Sequence, residues 1–218
     1  MFTLIGATAA SGCGTAVGNI NWFSVQSGST PTNVVIYASD IATSALHGSW
    51  SQASSATSPN SIKLSTPDLG VSNTANALAS PTDYFDVTFN AVASTSYTLW
   101  LRLQATANSK WNDSIWVQFS DAQAGGSAVY PIGSTSGLVV NLATDVNATN
   151  LNAWGWQNTA YWLNQATTVT FPTTGTHTLR IQVREDGVQL DQIILSPTTY
   201  LNSAPGPTGG DSTIVPKP

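Results

Sequence analysis

Only 8% of the 218 residues are charged, against about 25% in ordinary soluble domains, while 41% are hydrophobic, which excludes a disordered chain. A net charge of −5 with six scattered Lys and Arg excludes a nucleic-acid partner, because a phosphate backbone is met by clustered cations. The single cysteine, Cys13, excludes an internal disulfide framework, and no stretch is long and apolar enough to span a membrane. Ser, Thr, Asn and Gln must therefore cover the surface, and Lys and Glu, the usual helix-surface residues, are scarce. The composition points to an all-β, extracellular, secreted protein, long enough for one large sandwich with a full core.

In chain order, residues 1–19 are small and apolar without a period and read as an N-terminal extension; residues 1–10 lack the positive n-region of a signal peptide. A β-sandwich domain is expected over 20–202. Its first strand is expected at 20–26, and Val34-Val35-Ile36-Tyr37 suits a short buried strand. Residues 39–82 are rich in Ser, Thr, Asn, Ala and Pro and read as loops, with a strand near 61–64. Phe85, Val87 and Phe89 then alternate with Asp86 and Thr88. Tyr97, Leu99, Leu101 and Leu103 alternate with Thr98, Trp100, Arg102 and Gln104, and Ile115, Val117 and Phe119 with Trp116 and Gln118. Strict period two marks strands with one face inward. Residues 138–142 and 168–171 read as further strands. Short strands between turn-rich segments make a single β-sandwich of jelly-roll type with extended N- and C-terminal segments. Residues 175–196 hold two alternating runs around Asp186-Gly187, the pattern of a hairpin with a glycine at φ > 0. Asp191 lies inside the second, apolar run, where a charge needs a partner or a metal. Residues 203–218 read as a Pro/Gly-rich linker or tail.

Three elements in order carry a family resemblance: Lys110-Trp111-Asn112-Asp113-Ser114-Ile115-Trp116-Val117-Gln118-Phe119-Ser120-Asp121, then Trp154-Gly155-Trp156, then Gly175-Thr176-His177-Thr178-Leu179 followed by Arg184-Glu185-Asp186-Gly187 and Leu190-Asp191-Gln192-Ile193. The chain resembles the galactose-binding-like jelly rolls related to carbohydrate-binding module families 6 and 35. It is also similar to the C-terminal β-sandwich domains attached to some bacterial glycoside hydrolases. The resemblance covers residues 83–196 best. It implies a structural calcium held by acids near the first strand and by an aspartate in the last. Asp191 matches the latter; the first-strand acids are replaced by Ala38-Ser39-Asp40, leaving Asp40 alone. Calcium takes six to eight oxygens. The other reading is that Asp191 accepts backbone N–H bonds or pairs with Arg180 or Arg184.

A sugar ring is bound by an aromatic plane on its C–H face and by amides or carboxylates at its hydroxyl rim. Trp154, Trp156, Tyr161 and Trp162 fall within nine positions, interleaved with Asn150, Asn152, Gln157, Asn158 and Asn164. Trp111, with Asn112 and Asp113, precedes a strand and belongs to a loop at a sheet end. These residues form the candidate platform. Against it, Trp154 and Trp156 share one face of an extended segment and both suit a core. Catalysis has little basis: His47 and His177 are the only histidines, and Glu185 and Asp186 are adjacent rather than flanking a bond. The expected function is a non-catalytic carbohydrate-binding module of a secreted bacterial protein, with a polysaccharide or other glycan as partner. The alternative is a structural subunit of an extracellular filament, surface layer or capsid-like assembly. Such a subunit would form a homo-polymer through its terminal segments, the first adding a strand to a neighbour.

Overall fold

Alternating apolar side chains build two antiparallel sheets that face each other. The computed structural model describes residues 31–218; Cys13, the extension over 1–19 and the strand expected at 20–26 lie outside the described residues. The strands are β1 Val34–Tyr37, β2 Ser51–Ser54, β3 Ile62–Ser65, β4 Tyr84–Ala91, β5 Tyr97–Ala105, β6 Ser114–Phe119, β7 Gln123–Ala124, β8 Ser127–Ala128, β9 Leu138–Asn141, β10 Gly155–Gln157, β11 Thr168–Val169, β12 Gly175–Val183 and β13 Val188–Ser196. In the seven-stranded sheet β13 is central. It pairs β5 on one side and β1 and β3 on the other, β2 extends β3, and β10 and β11 flank β5. The second sheet runs β4-β12-β6-β9, and β7 and β8 form a small separate ribbon. Strand β2 lies in a stretch whose Ser-rich sequence reads as loop; pairing with β3 overrides that local preference.

The core lies between the sheets. Leu99, Leu101, Leu103, Leu190, Ile193 and Leu195 of one sheet meet Phe85, Ile115, Val117, Phe119, Leu179 and Ile181 of the other, all essentially without exposure. Each such side chain contributes about 1.5–3 kcal/mol relative to exposure.

Two features differ from the sequence pattern. First, β12 and β13 are not a hairpin. β12 pairs only with β4 and β6, and β13 only with β5, β3 and β1. Residues 184–187 therefore cross from one sheet to the other. Two alternating runs around Asp-Gly satisfy either arrangement, because the pattern fixes the faces but not the partner. The link's backbone is satisfied by other segments. Gly187 N–H donates to Pro67 O at 3.0 Å, Thr106 N–H to Gly187 O at 3.0 Å and Thr74 N–H to Arg184 O at 3.0 Å. Gly187 has φ 75° and a Cβ there would strike the Asn112 side chain.

Second, Asp191 is the extra residue of a β-bulge: Leu190 faces Leu103 and Gln192 faces Arg102, so Asp191 has no register partner. The bulge changes the parity of β13. Val188 and Leu190 point into the core before it, Ile193 and Leu195 after it, and Ile194 turns to the outer face. There the C-terminal segment covers the sheet. Val215 packs on Val35, Trp156 and Ile194, with Tyr37, Trp100 and Tyr200 alongside. Trp156 N–H donates to Pro207 O at 3.0 Å, Asp211 N–H to Trp154 O at 2.8 Å, and Gln192 Nε2 to Val215 O at 2.5 Å. A Cβ on Gly155 would collide with the Thr208 carbonyl, so this close crossing requires glycine. The segment that reads from its Pro and Gly content as a linker or tail is a strap.

Arg102 locks strap to sheet. Its Nη1 donates to Asp191 Oδ2 at 2.5 Å, its Nε to Asp211 Oδ2 at 2.7 Å and its Nη2 to Asp211 O at 3.1 Å, with all three side chains fully buried. The partner of Asp191 is thus Arg102; Arg180 pairs with Asp86 and Arg184 with Glu185. Burial, opposed by the Arg102 charge, pushes the Asp191 carboxyl up to about 7. Replacing Arg102 with Ala strands buried carboxylates and is expected to cost about 3–5 kcal/mol in urea unfolding, whereas Arg180→Ala, at a half-exposed pair, costs at most about 1 kcal/mol. Equal costs would show that the triad does not hold the strap.

Candidate functional site

The crossing link brings three polar side chains to one end of the sandwich. Asp186 Oδ2 accepts the N–H groups of Leu69 at 2.6 Å and Val71 at 3.1 Å, which shapes the loop between β3 and β4. Glu185 Oε2 accepts Ser114 Oγ at 2.6 Å and Asp113 N–H at 3.3 Å; its Oε1 accepts Arg184 Nη1 at 2.6 Å. Arg184 Nη1 also donates to Ser114 Oγ at 2.7 Å, and its guanidinium lies 5.5 Å from the Trp162 ring. The link therefore ties the loop between β3 and β4 and the start of β6 through charge-assisted bonds, which are the stronger kind.

Asn112 and Asp113 are tied into the framework of this end, and Asn112 also lines the cavity beside Trp111. Asn112 is buried and its Nδ2 donates to Asp68 Oδ2 at 2.9 Å and Thr106 O at 3.1 Å. Asp113 has no exposure; its Oδ2 accepts Ala143 N–H at 2.8 Å and Asn141 Nδ2 at 3.3 Å. Its buried Oδ1 lacks a donor. Burial above all, with the Glu185 carboxylate adding to it against the Ala143 N–H, pushes Asp113 up to about 8. Burial and the neighbouring Glu185 carboxylate thus both favour the neutral form of Asp113.

Above this floor stand three exposed rings: Trp111 at 62%, Trp162 at 46% and Tyr161 at 44%. Tyr161 and Trp162 meet edge to face, 4.7 Å between centroids. Lys110 Nζ lies 5.1 Å from the Trp111 ring. A cavity of about 500 Å³ separates Trp111 from the 68–73 loop, with Glu185 and Asp186 at its base. A second of about 210 Å³ separates Trp111 from Tyr161 and Trp162, bordered by Arg184 and Glu185.

Trp154 and Trp156 are elsewhere. Both are buried on the outer face of the larger sheet, beneath the strap. Trp154 donates its Nε1–H to Thr57 Oγ1 at 3.0 Å and stacks on Arg102. The expected aromatic cluster therefore divides: Trp156 on β10 and Trp154 just before it go into packing, and the loop after β10 leaves Tyr161 and Trp162 in solvent. Arg184, Glu185 and Asn73 belong to the site without having been singled out as ligand groups. The usable signal was the rarity of cations in this chain, which makes each Arg informative.

The donor set does not fit calcium. Asp191 is held by Arg102. Asp40 accepts Tyr37 N–H at 2.7 Å and Lys217 Nζ at 2.5 Å. Among the described residues no group of three or more His, Cys, Asp and Glu is placed to hold a metal, far short of a six- to eight-oxygen cage. His177 is structural: it is buried, with Nδ1 2.8 Å from Asp121 Oδ1 and Nε2 3.1 Å from Thr173 O.

Residues 57–209 match the family described as "Glycosyl hydrolase family 115 C-terminal domain". No curated protein matches the chain. Solved structures of similar fold include the carbohydrate-binding module CBM6cm-2 from Cellvibrio mixtus lichenase 5A in complex with cellotriose, with 15% identity, 76% of this chain and 98% of that chain covered, and a TM-score of 0.41. The C-terminal CBM6 of LamC, a marine laminarinase from Zobellia galactanivorans, gives 12%, 75%, 98% and 0.42 for the same quantities. A family 35 carbohydrate-binding module from Clostridium thermocellum gives 11%, 75%, 98% and 0.39.

Asp113 and Asp191 both hold protons more tightly than the usual aspartate value of 3.8. The folded state therefore binds more protons than the unfolded one between about pH 4 and pH 8, and stability falls as pH rises through that window. Asp191's contribution is lost as pH passes about 7, Asp113's as it passes about 8. Asp113→Asn fixes the neutral form. Its stability relative to wild type, read from urea midpoints, should grow steadily up to about pH 8 and then level off. A difference independent of pH would show that Asp113 is ionised throughout.

Proposed function

The chain belongs to the glycosyl hydrolase family 115 C-terminal domain family, and from that premise we propose that it is a non-catalytic carbohydrate-binding module of a secreted bacterial protein, taking its glycan at the loop end of the sandwich. One observation carries the reading: three exposed aromatic side chains converge on one groove with Asn73, Arg184 and Glu185. The other large aromatics of the same stretch, Trp154 and Trp156, are packed away. Exposed clustered rings do nothing for folding and mark a contact surface. Trp111 and the Tyr161–Trp162 pair supply flat apolar faces for the C–H side of a pyranose. Asn73 and Arg184 supply hydroxyl partners at its rim.

No bond is made or broken in this reading. Glycoside hydrolysis needs two carboxyl groups flanking the scissile bond; here Asp113 has no exposure, and the adjacent Glu185 and Asp186 are buried and engaged by protein donors. The low charge and the Ser/Thr/Asn cover favour an extracellular setting. The C-terminal segment is taken up by its own sheet; the first segment, which would add a strand to a neighbour in the assembling alternative, lies outside the described residues.

Titration calorimetry against a soluble-glycan panel tests this. Trp111→Ala, and Trp162→Ala for glycans of four or more sugars, are expected to weaken binding at least about tenfold with the unfolding midpoint unchanged. Trp156→Ala is expected to cost about 3–5 kcal/mol of stability instead. A folded protein that binds no glycan of the panel would refute the proposal.

A further inference from the structure

The two cavities at the loop end adjoin one another. They share Asn73, Trp111 and Glu185 as a common wall, and Trp111 stands between them as an exposed ridge. On one side about 500 Å³ opens toward Asp68 and Asp186; on the other about 210 Å³ opens toward Tyr161 and Trp162. The larger cavity alone lies within the range of about 300–1,000 Å³ that receives drug-sized ligands. A single sugar ring would need one aromatic face and one set of rim partners. This groove offers a second aromatic platform beyond the first. Lys110, which lies against the Trp111 ring, borders the smaller cavity and not the larger, so the indole face toward the larger cavity is the one left open.

We infer, resting on the glycan-binding reading above, that the groove takes an internal stretch of a linear polysaccharide laid across Trp111, in at least two subsites, rather than a single terminal sugar. Trp111 stacks its open face on the sugar in the larger cavity, and Tyr161 and Trp162 serve the subsite in the smaller one. Asn73, exposed and common to both cavities, hydrogen-bonds the sugars beside the ridge.

The test is titration calorimetry with the full chain and with Trp111→Ala and Trp162→Ala, using cello- and xylo-oligosaccharides from mono- to hexasaccharide. Both substituted side chains are exposed, and circular dichroism checks that both variants are folded. For the bound series, wild-type affinity should rise at least about tenfold from disaccharide to tetrasaccharide and then level off. Trp162→Ala should abolish that rise while leaving disaccharide affinity within about twofold, and Trp111→Ala should weaken every length. A monosaccharide bound as tightly as a tetrasaccharide, or an equal loss at all lengths in Trp162→Ala, would overturn the extended groove while leaving glycan binding intact. No binding of any sugar by the folded wild type would overturn both.

Discussion

Four residues carry the chain from one sheet to the other, and the loop end depends on where their side chains are tied. Glu185 and Asp186 are buried acids in a link that no strand pairing supports. Each exchanges hydration for bonds to several loops at once. Asp186 gathers the backbone after β3, and Glu185 gathers the start of β6 and, through Arg184, the ring of Trp162. A buried carboxylate without such partners would cost several kcal/mol, so the loops are held where the acids need them. The groove between Trp111 and Trp162 follows from that tethering.

The opposite constraint operates on the outer face of the larger sheet. Tyr37, Trp100, Trp154 and Trp156 form an aromatic surface that would be sticky if open. The strap covers it, and Arg102 between Asp191 and Asp211 fixes the strap. Exposed rings are then concentrated where the loops have shaped a groove. Stability and recognition thus draw on different aromatics, although these stand close together in sequence.

The sandwich was legible because period-two alternation in β4, β5, β6, β12 and β13 is a direct consequence of having one buried face. Sheet membership was not, since Asp186-Gly187 permits a hairpin or a crossing alike. The bulge at Asp191 was equally hidden; its trace is the change of parity between Leu190 and Ile193, which a strict alternation reading passes over. Arg102 occupies an outward-facing position in an alternating strand and reads as solvated, because the covering strap is more than a hundred residues away. In the candidate site, Trp111, Tyr161 and Trp162 are exposed at the loop end, whereas Trp154 and Trp156 are not. The sequence holds no local mark separating these two groups; only the pairing of β10 with β5 and the strap above it decide.

The tethering of the loop end is tested most directly by amide hydrogen exchange and glycan titration on Asp186→Ala. The substitution removes the acceptor of the Leu69 and Val71 N–H groups without touching either aromatic platform. Exchange at those two amides should accelerate at least about tenfold, protection in β5 and β13 should persist, and glycan affinity should fall with it. Unchanged exchange at Leu69 and Val71, or full glycan affinity despite a freed loop, would contradict the claim that the link's acids build the groove.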